Sequence, residues 1–120
     1  MKRKSTGILG EKLAVEFLKK KGFRILETNY RCRFGEIDIV AFQKESLVFI
    51  EVRTKTNLEQ GTPEESITIK KMRHLEHAVE SYLQNHDDLP PSWRVDVVAI
   101  EMDVNNKLKR IQLIEDALEN

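Results

Sequence analysis

The stretch Gly35-Glu36-Ile37-Asp38-Ile39-Val40-Ala41-Phe42, the polar Gln43-Lys44-Glu45-Ser46, and Leu47-Val48-Phe49-Ile50-Glu51-Val52-Arg53-Thr54 decide how this chain folds. Two runs of β-branched and aromatic residues flank a short polar connection, which is the pattern of a β-hairpin. With an even-numbered loop, the numbers of opposite residues add up to 89, pairing Phe42 with Leu47, Val40 with Phe49, Asp38 with Glu51 and Glu36 with Arg53. Asp38 and Glu51 then face each other with Cβ atoms roughly 4.5 to 5.5 Å apart, where like charges destabilise and require compensation. Alternate residues share a face, so Leu47, Phe49, Glu51, Arg53 and Lys55 form a stripe that is apolar at its start and charged toward its end. A hard divalent cation, Mg²⁺ or Mn²⁺, would neutralise the carboxylates and leave positions for water and phosphate oxygens. Arg53 and Lys55 would offset charge developing on a phosphate. The competing reading is a salt-bridge cluster on the rim of the sheet, in which Arg53 and Lys55 simply neutralise Asp38 and Glu51.

Upstream, Ile8, Leu9, Leu13, Phe17 and Leu18 follow helical spacing and stop at Lys20-Lys21-Gly22, which predicts a helix over residues 6–21. Phe23 to Asn29 reads as a strand. Downstream, Thr62-Pro63-Glu64-Glu65 has the form of a capping box. The clean apolar face of Met72, Leu75, Val79, Tyr82 and Leu83 places the second main helix at 68–85, with Thr68 as its cap. Pro90-Pro91 enforces a loop, and strands follow over Trp93–Met102 and Leu108–Ile114 around Val104-Asn105-Asn106. The expected order is α-β-β-β-α-β-β, an α/β fold in which two helices cover a mixed five-stranded sheet.

At 120 residues the chain suits one domain over 1–120, with a basic arm at 1–5 and a loose acidic tail at 115–120. Hydrophobic residues make up 40% and charged residues 33%, a balance that excludes low-complexity and mostly disordered classes. The longest apolar runs, such as Leu47 to Ile50, are far short of the roughly 20 residues that span a bilayer. Glu11, Lys12 and Glu16 interrupt what would be the apolar core of a secretory signal after Lys2-Arg3-Lys4, so the expected location is the cytoplasm and no membrane partner is expected. Net charge is zero. It is unevenly spread, however: residues 1–34 hold ten Lys/Arg against three Asp/Glu, and the remainder ten against seventeen. That asymmetry suits a local polyanion-binding face, and equally a solvated surface.

With these residues in view, the spacing Gly35-Glu36-Ile37-Asp38, twelve residues, Glu51-Val52-Arg53 resembles the active-site pattern of the PD-(D/E)XK nuclease superfamily. Taken with Gly7-x-x-Gly10-Glu11, Asn29-Tyr30-Arg31, Phe49-Ile50-Glu51-Val52 and Arg94-Val95-Asp96-Val97-Val98, the chain resembles the YraN family of uncharacterised bacterial proteins from about Gly7 to Ile100. The resemblance implies a restriction-endonuclease-like αβββαβ core, similar to Holliday-junction resolvases. It implies Asp38, Glu51 and Glu11 as metal ligands, DNA or structured nucleic acid as partner, and a homodimer, since resolvase-like relatives act as dimers. On local sequence alone, Glu11 reads as a solvated residue pairing within its own helix.

This chain departs from the superfamily pattern at two positions. Ile37 stands where the first Pro would be, and Arg53 stands at the Lys position. A guanidinium stays protonated and cannot serve as general base, although it can orient water or stabilise an anionic transition state. Lys55 lies on the same face and is the substitute candidate. Lys71, near the start of the second helix, is a candidate phosphate contact or an ordinary solvated lysine. Arg31 and Arg33 complete the nucleic-acid-binding set. His74 and His77 are three apart but lack a carboxylate or cysteine motif and receive no role. Asp96 reads as structural, and Cys32 as incidental. Three functions follow: a metal-dependent endonuclease-like protein, a non-catalytic nucleic-acid-binding module on the same fold, or a protein-interaction module using the sheet edge at Leu108–Ile114.

Overall fold

The computed structural model describes residues 2–56 and 61–118. Helix α1 spans Lys2–Lys20, so the segment expected as a basic arm is continuous with the helix; Met1 and the side chains of residues 2–5 lie outside what is described. Gly10, Ala14 and Leu18 form its buried stripe at four-residue spacing. The helix stops at a Schellman motif: Gly22 has φ 92, its N–H donates to the Lys19 carbonyl at 3.0 Å, and the Phe23 N–H donates to the Leu18 carbonyl at 3.0 Å. Phe23 and Leu18 enter the same core, which fixes the angle at which the chain leaves the helix.

Strands β1 (Arg24–Cys32), β2 (Gly35–Gln43) and β3 (Ser46–Lys55) form an antiparallel meander. A 3₁₀ turn at Glu64–Ser66 and helix α2 (Ile69–Gln84) carry the chain across to β4 (Trp93–Met102), which runs parallel to β3 and pairs with the edge strand β5 (Leu108–Ile114). Sheet order is β1-β2-β3-β4-β5, so the mixed five-stranded sheet and two helices match the sequence expectation. Thr68 caps α2 by accepting from the Lys71 N–H at 3.2 Å, and the capping box at Thr62 and Glu65 closes in both directions, at 2.8 and 3.1 Å.

Each helix covers its own core. Ala14 and Leu18 pack on Ile39, Ala41, Val48 and Ile50 with Val98 and Ile100, while Leu75, Val79 and Tyr82 pack on Val40, Leu47, Phe49 and Val95. Within β3, Val48 and Ile50 therefore face α1 while Leu47 and Phe49 face α2, the period-2 alternation of a strand buried on both sides.

The β2–β3 register is the expected one from Gln43↔Ser46 to Ile39↔Ile50, and there the ladder ends. The expected Glu36–Arg53 pair does not form. Glu36 instead pairs with Arg31 across β1, its carboxylate accepting from the Arg31 guanidinium at 2.9 Å. The strands part because β2 twists at Asp38: Ile37 belongs to the α2 core and Ile39 to the α1 core, although residues two apart on a regular strand share a face. The acidic tail is not loose as far as Leu118. The Ala117 N–H donates to the Val95 carbonyl at 2.7 Å, the Asp116 N–H donates to Asp96 at 3.0 Å, and Leu118 packs on the α2 core. Glu119, Asn120 and loop residues 57–60 lie outside the described residues.

Candidate functional site

Where β2 and β3 separate, the Val52 N–H loses a ladder partner, and the Asp38 carboxylate takes the vacant acceptor position at 2.8 Å. A side chain thus replaces a backbone carbonyl, which keeps the buried amide satisfied and fixes the carboxylate between the strands. Glu51 lies beside it, and both groups are largely buried. Desolvation first, and the Glu51 charge second, push the Asp38 carboxyl up to about 8. Burial also raises Glu51, opposed by the Arg53 guanidinium. The pair therefore holds a proton at neutral pH in the absence of a further cation.

The α2 side of β3 supplies positive charge. Arg53 donates from Nη1 to Glu51 at 3.3 Å and from Nε to the Ser66 hydroxyl at 2.9 Å; that hydroxyl in turn donates to the Pro63 carbonyl at 2.6 Å. The 3₁₀ turn is therefore the device that orients Arg53. It is itself tied to the far edge of the sheet, where Arg110 on β5 donates to Glu64 at 2.8 and 2.9 Å and to Glu101 at 2.7 Å. Lys71 stands near enough to Glu51, Arg53 and Lys55 to feel all three, and burial together with the two cations lowers its pKa.

The α1 side supplies Glu11 and Asn29. Asn29 sits opposite Asp38 in the β1–β2 pairing with φ 58, a left-handed conformation that Asn tolerates better than most residues. Its amide donates to Glu11 at 2.8 Å. Glu11 keeps partial exposure to solvent, as local sequence suggested, but its carboxylate is turned to Asn29 on β1 rather than to a partner in its own helix or into the Asp38–Glu51 pair. Among the described residues, no group of three or more Asp, Glu, His or Cys side chains is placed to hold a metal ion. Helix and sheet approach closely here because Gly10 lies against Thr54, whose side chain fills the space a Cβ would need.

An open cleft of about 1240 Å³ lies between α1 and the sheet, with Glu11, Asn29, Arg31, Asp38, Arg53 and Lys55 on its walls and Glu51 and Lys71 beside it. The structure brings together Asp38, Glu51, Arg53, Lys55 and Lys71, sets Glu11 and Arg31 on the opposite wall, and leaves Arg33 at the tip of the β1–β2 hairpin. Asn29 and Ser66 were not singled out from sequence. The Asn29-Tyr30-Arg31 motif carried the first, and nothing local marked the second.

The remaining candidates lie elsewhere. Asp96 is fully buried on β4, opposite Ile50, with its carboxylate accepting from Arg94 at 3.0 Å and from the Asp116 N–H, and is structural as expected. Cys32 packs on the α2 core, and among the described residues no helix is long and apolar enough to cross a membrane.

The family model described as "Uncharacterised protein family UPF0102" matches residues 10–100. A UPF0102 protein of Caldicellulosiruptor saccharolyticus is 43% identical over 117 residues, covering 98% of this chain and 99% of the relative. A UPF0102 protein of Dehalococcoides mccartyi is 48% identical over 116 residues, covering 97% of this chain and 94% of the relative. One from Moorella thermoacetica is 43% identical over 117 residues, covering 98% of each.

Proposed function

The chain belongs to the UPF0102 family, the YraN family of uncharacterised bacterial proteins, and from that premise we propose that it is a cytoplasmic, metal-dependent, endonuclease-like protein acting on DNA or structured nucleic acid. The observation that carries this reading is the buried Asp38–Glu51 pair at the fork of two strands, bordered by Arg53, Lys55 and Lys71. Two acids forced together out of water form an unfavourable arrangement for stability alone, and a bound cation would reverse the imbalance.

The donor set fits a hard divalent cation such as Mg²⁺ or Mn²⁺. Asp38 and Glu51 would hold it, while Glu11, engaged by Asn29, stands as an outer acid on the far wall. When bound, such an ion supplies Lewis acidity toward a phosphodiester and lowers the pKa of water. The chain's own residues do the rest. Arg53, fixed by Ser66 and Glu51, presents a constant positive charge toward the substrate phosphate, and Lys55 and Lys71 add flexible charges that offset what develops in the transition state. Arg31, held by Glu36, positions a neighbouring phosphate.

Calorimetric titration of Mg²⁺ and Mn²⁺ into the wild type, Asp38→Ala and Glu51→Ala, followed by incubation with duplex, single-stranded and branched DNA, tests this. Metal binding and cleavage by the wild type alone is the expected result. Unchanged cleavage in both variants, or no metal binding by the wild type, would overturn it. Arg53 favours one second reading. Because it cannot accept a proton and is committed to Glu51 and Ser66, the fold also suits a non-catalytic nucleic-acid-binding module, which would bind with steep salt dependence and cleave with no metal.

A further inference from the structure

The β1–β2 hairpin carries a feature that the cleft chemistry does not use. Its ladder runs out to Cys32↔Gly35, so Arg33 and Phe34 alone make the turn, and Gly35 closes it with φ 132. Phe34 is 37% exposed although it is large and apolar. Its ring rests on His77 of α2, with centroids 5.4 Å apart, and the Arg33 guanidinium lies over the same ring, 4.9 Å from its centroid. The guanidinium thus covers a face of the phenyl ring, while the imidazole, tilted 57° to that ring, braces it against the helix. Arg31, held by Glu36 with its side chain 82% exposed, stands beside it in the cleft wall.

Flat apolar and guanidinium surfaces stack on nucleobases, and the adjacent charges meet the phosphates between them. A protein partner would have to strip water from two guanidinium groups, whereas a nucleic acid takes them as counterions. Gly35 is three residues from Asp38, about 10 Å along the strand. At the duplex rise of roughly 3.4 Å that is about three nucleotides, and an unpaired strand, free to extend further, covers it with no more than that number. Bases inside a duplex have no free face, so only an unpaired base can use such a platform.

We propose that Arg33 and Phe34, braced by His77, form a stacking platform for an unpaired nucleobase a few nucleotides from the phosphate met at Asp38 and Glu51. The substrate class is then single-stranded or branched nucleic acid rather than continuous duplex. This inference rests on the nucleic-acid reading above and specifies its substrate.

The test is fluorescence anisotropy of fluorescein-labelled single-stranded, Y-shaped and blunt duplex DNA with the full chain, at one fixed salt concentration without divalent metal. The wild type should prefer the two probes with unpaired bases. Phe34→Ala and Arg33→Ala should each bind those probes about tenfold more weakly, with duplex affinity little changed. Phe34→Trp in a Trp93→Phe background should retain binding, and its indole emission should be quenched by the single strand, a direct readout of stacking. Equal affinity of the wild type for all three probes, or a Phe34→Ala protein that binds the single strand like the wild type, overturns the platform and leaves the nucleic-acid reading standing. No binding to any probe at low salt, either without metal or with Mg²⁺ added, overturns both.

Discussion

Asp38 serves the fold and the site in opposite senses. Its carboxylate satisfies the Val52 amide, yet burial next to Glu51 raises its pKa from 3.8 to about 8. The folded protein therefore holds this proton more tightly than the unfolded chain does. Its contribution to stability is present in full below about pH 4 and is lost as pH rises through about 8. Asp38→Asn keeps the acceptor for Val52 and supplies a fixed donor toward Glu51. In urea denaturation the variant should match the wild type near pH 4 and gain on it with rising pH, by up to about 1.4 kcal/mol per pH unit. Mg²⁺ added at pH 8 should narrow the gap by stabilising the wild type alone. Residue parity made this pair legible: with Val40 opposite Phe49 the count sets Asp38 against Glu51, and although the twist at Asp38 takes both out of the β2–β3 ladder, the two carboxyl groups still meet at the fork. It gave no warning that the ladder would stop at Ile39, since pairing arithmetic extends indefinitely and carries no information about twist. For the same reason Glu36 was assigned to Arg53, while the cross-strand neighbour Arg31 holds it.

At the scale of elements, the cleft depends on how closely α1 lies against β3. Gly10 is the contact, and Thr54 is a β-branched residue with little rotamer freedom to yield. Gly10→Ala should destabilise the protein by about 1 to 3 kcal/mol through overpacking, in spite of the better helix propensity of Ala. Combining it with Thr54→Ala should recover much of that loss. Calorimetric melting of the two single variants and the double variant would measure the coupling; strict additivity would show that the contact does not set the spacing. Helix termini were largely readable, because Thr68 and the Thr62–Glu65 box act through neighbours three residues away. The Lys44-Glu45 turn was less so: Lys44 adopts φ 55 without being Asn or Gly, and the surrounding core enforces what the turn residues do not favour. The docking of Glu115–Leu118 was missed because it depends on β4 carbonyls and Asp96, which a charge count does not register.

At the scale of the molecule, Arg31, Arg53, Lys55 and Lys71 gather around or beside one cleft whose walls also carry Glu11, Glu16, Glu36 and Asp38, so a polyanion would be met by individual cations rather than by a net positive field. Binding to single-stranded DNA should therefore weaken steeply with salt. Replacing Lys55 and Lys71 by Gln should lessen the slope of log K against log salt by about 0.7 for each phosphate contact removed. A slope unaltered by both substitutions would place the contacts elsewhere. The fold class and element order were legible from the alternation of strand and helix periods. The long-range tie from Arg110 through Glu64 to the turn that holds Arg53 was not, because it joins residues 46 positions apart in sequence without any local pattern. The two separate cores have a further consequence. One helix layer contributes Glu11 and the other Lys71, with the fork between them, so neither layer carries the complete set of charges. A ligand gripping both would be thermodynamically linked to both, and its binding free energy would be shared between two helix layers joined through the strands they cover. Amide hydrogen exchange in α1 and α2 should then slow together on saturation.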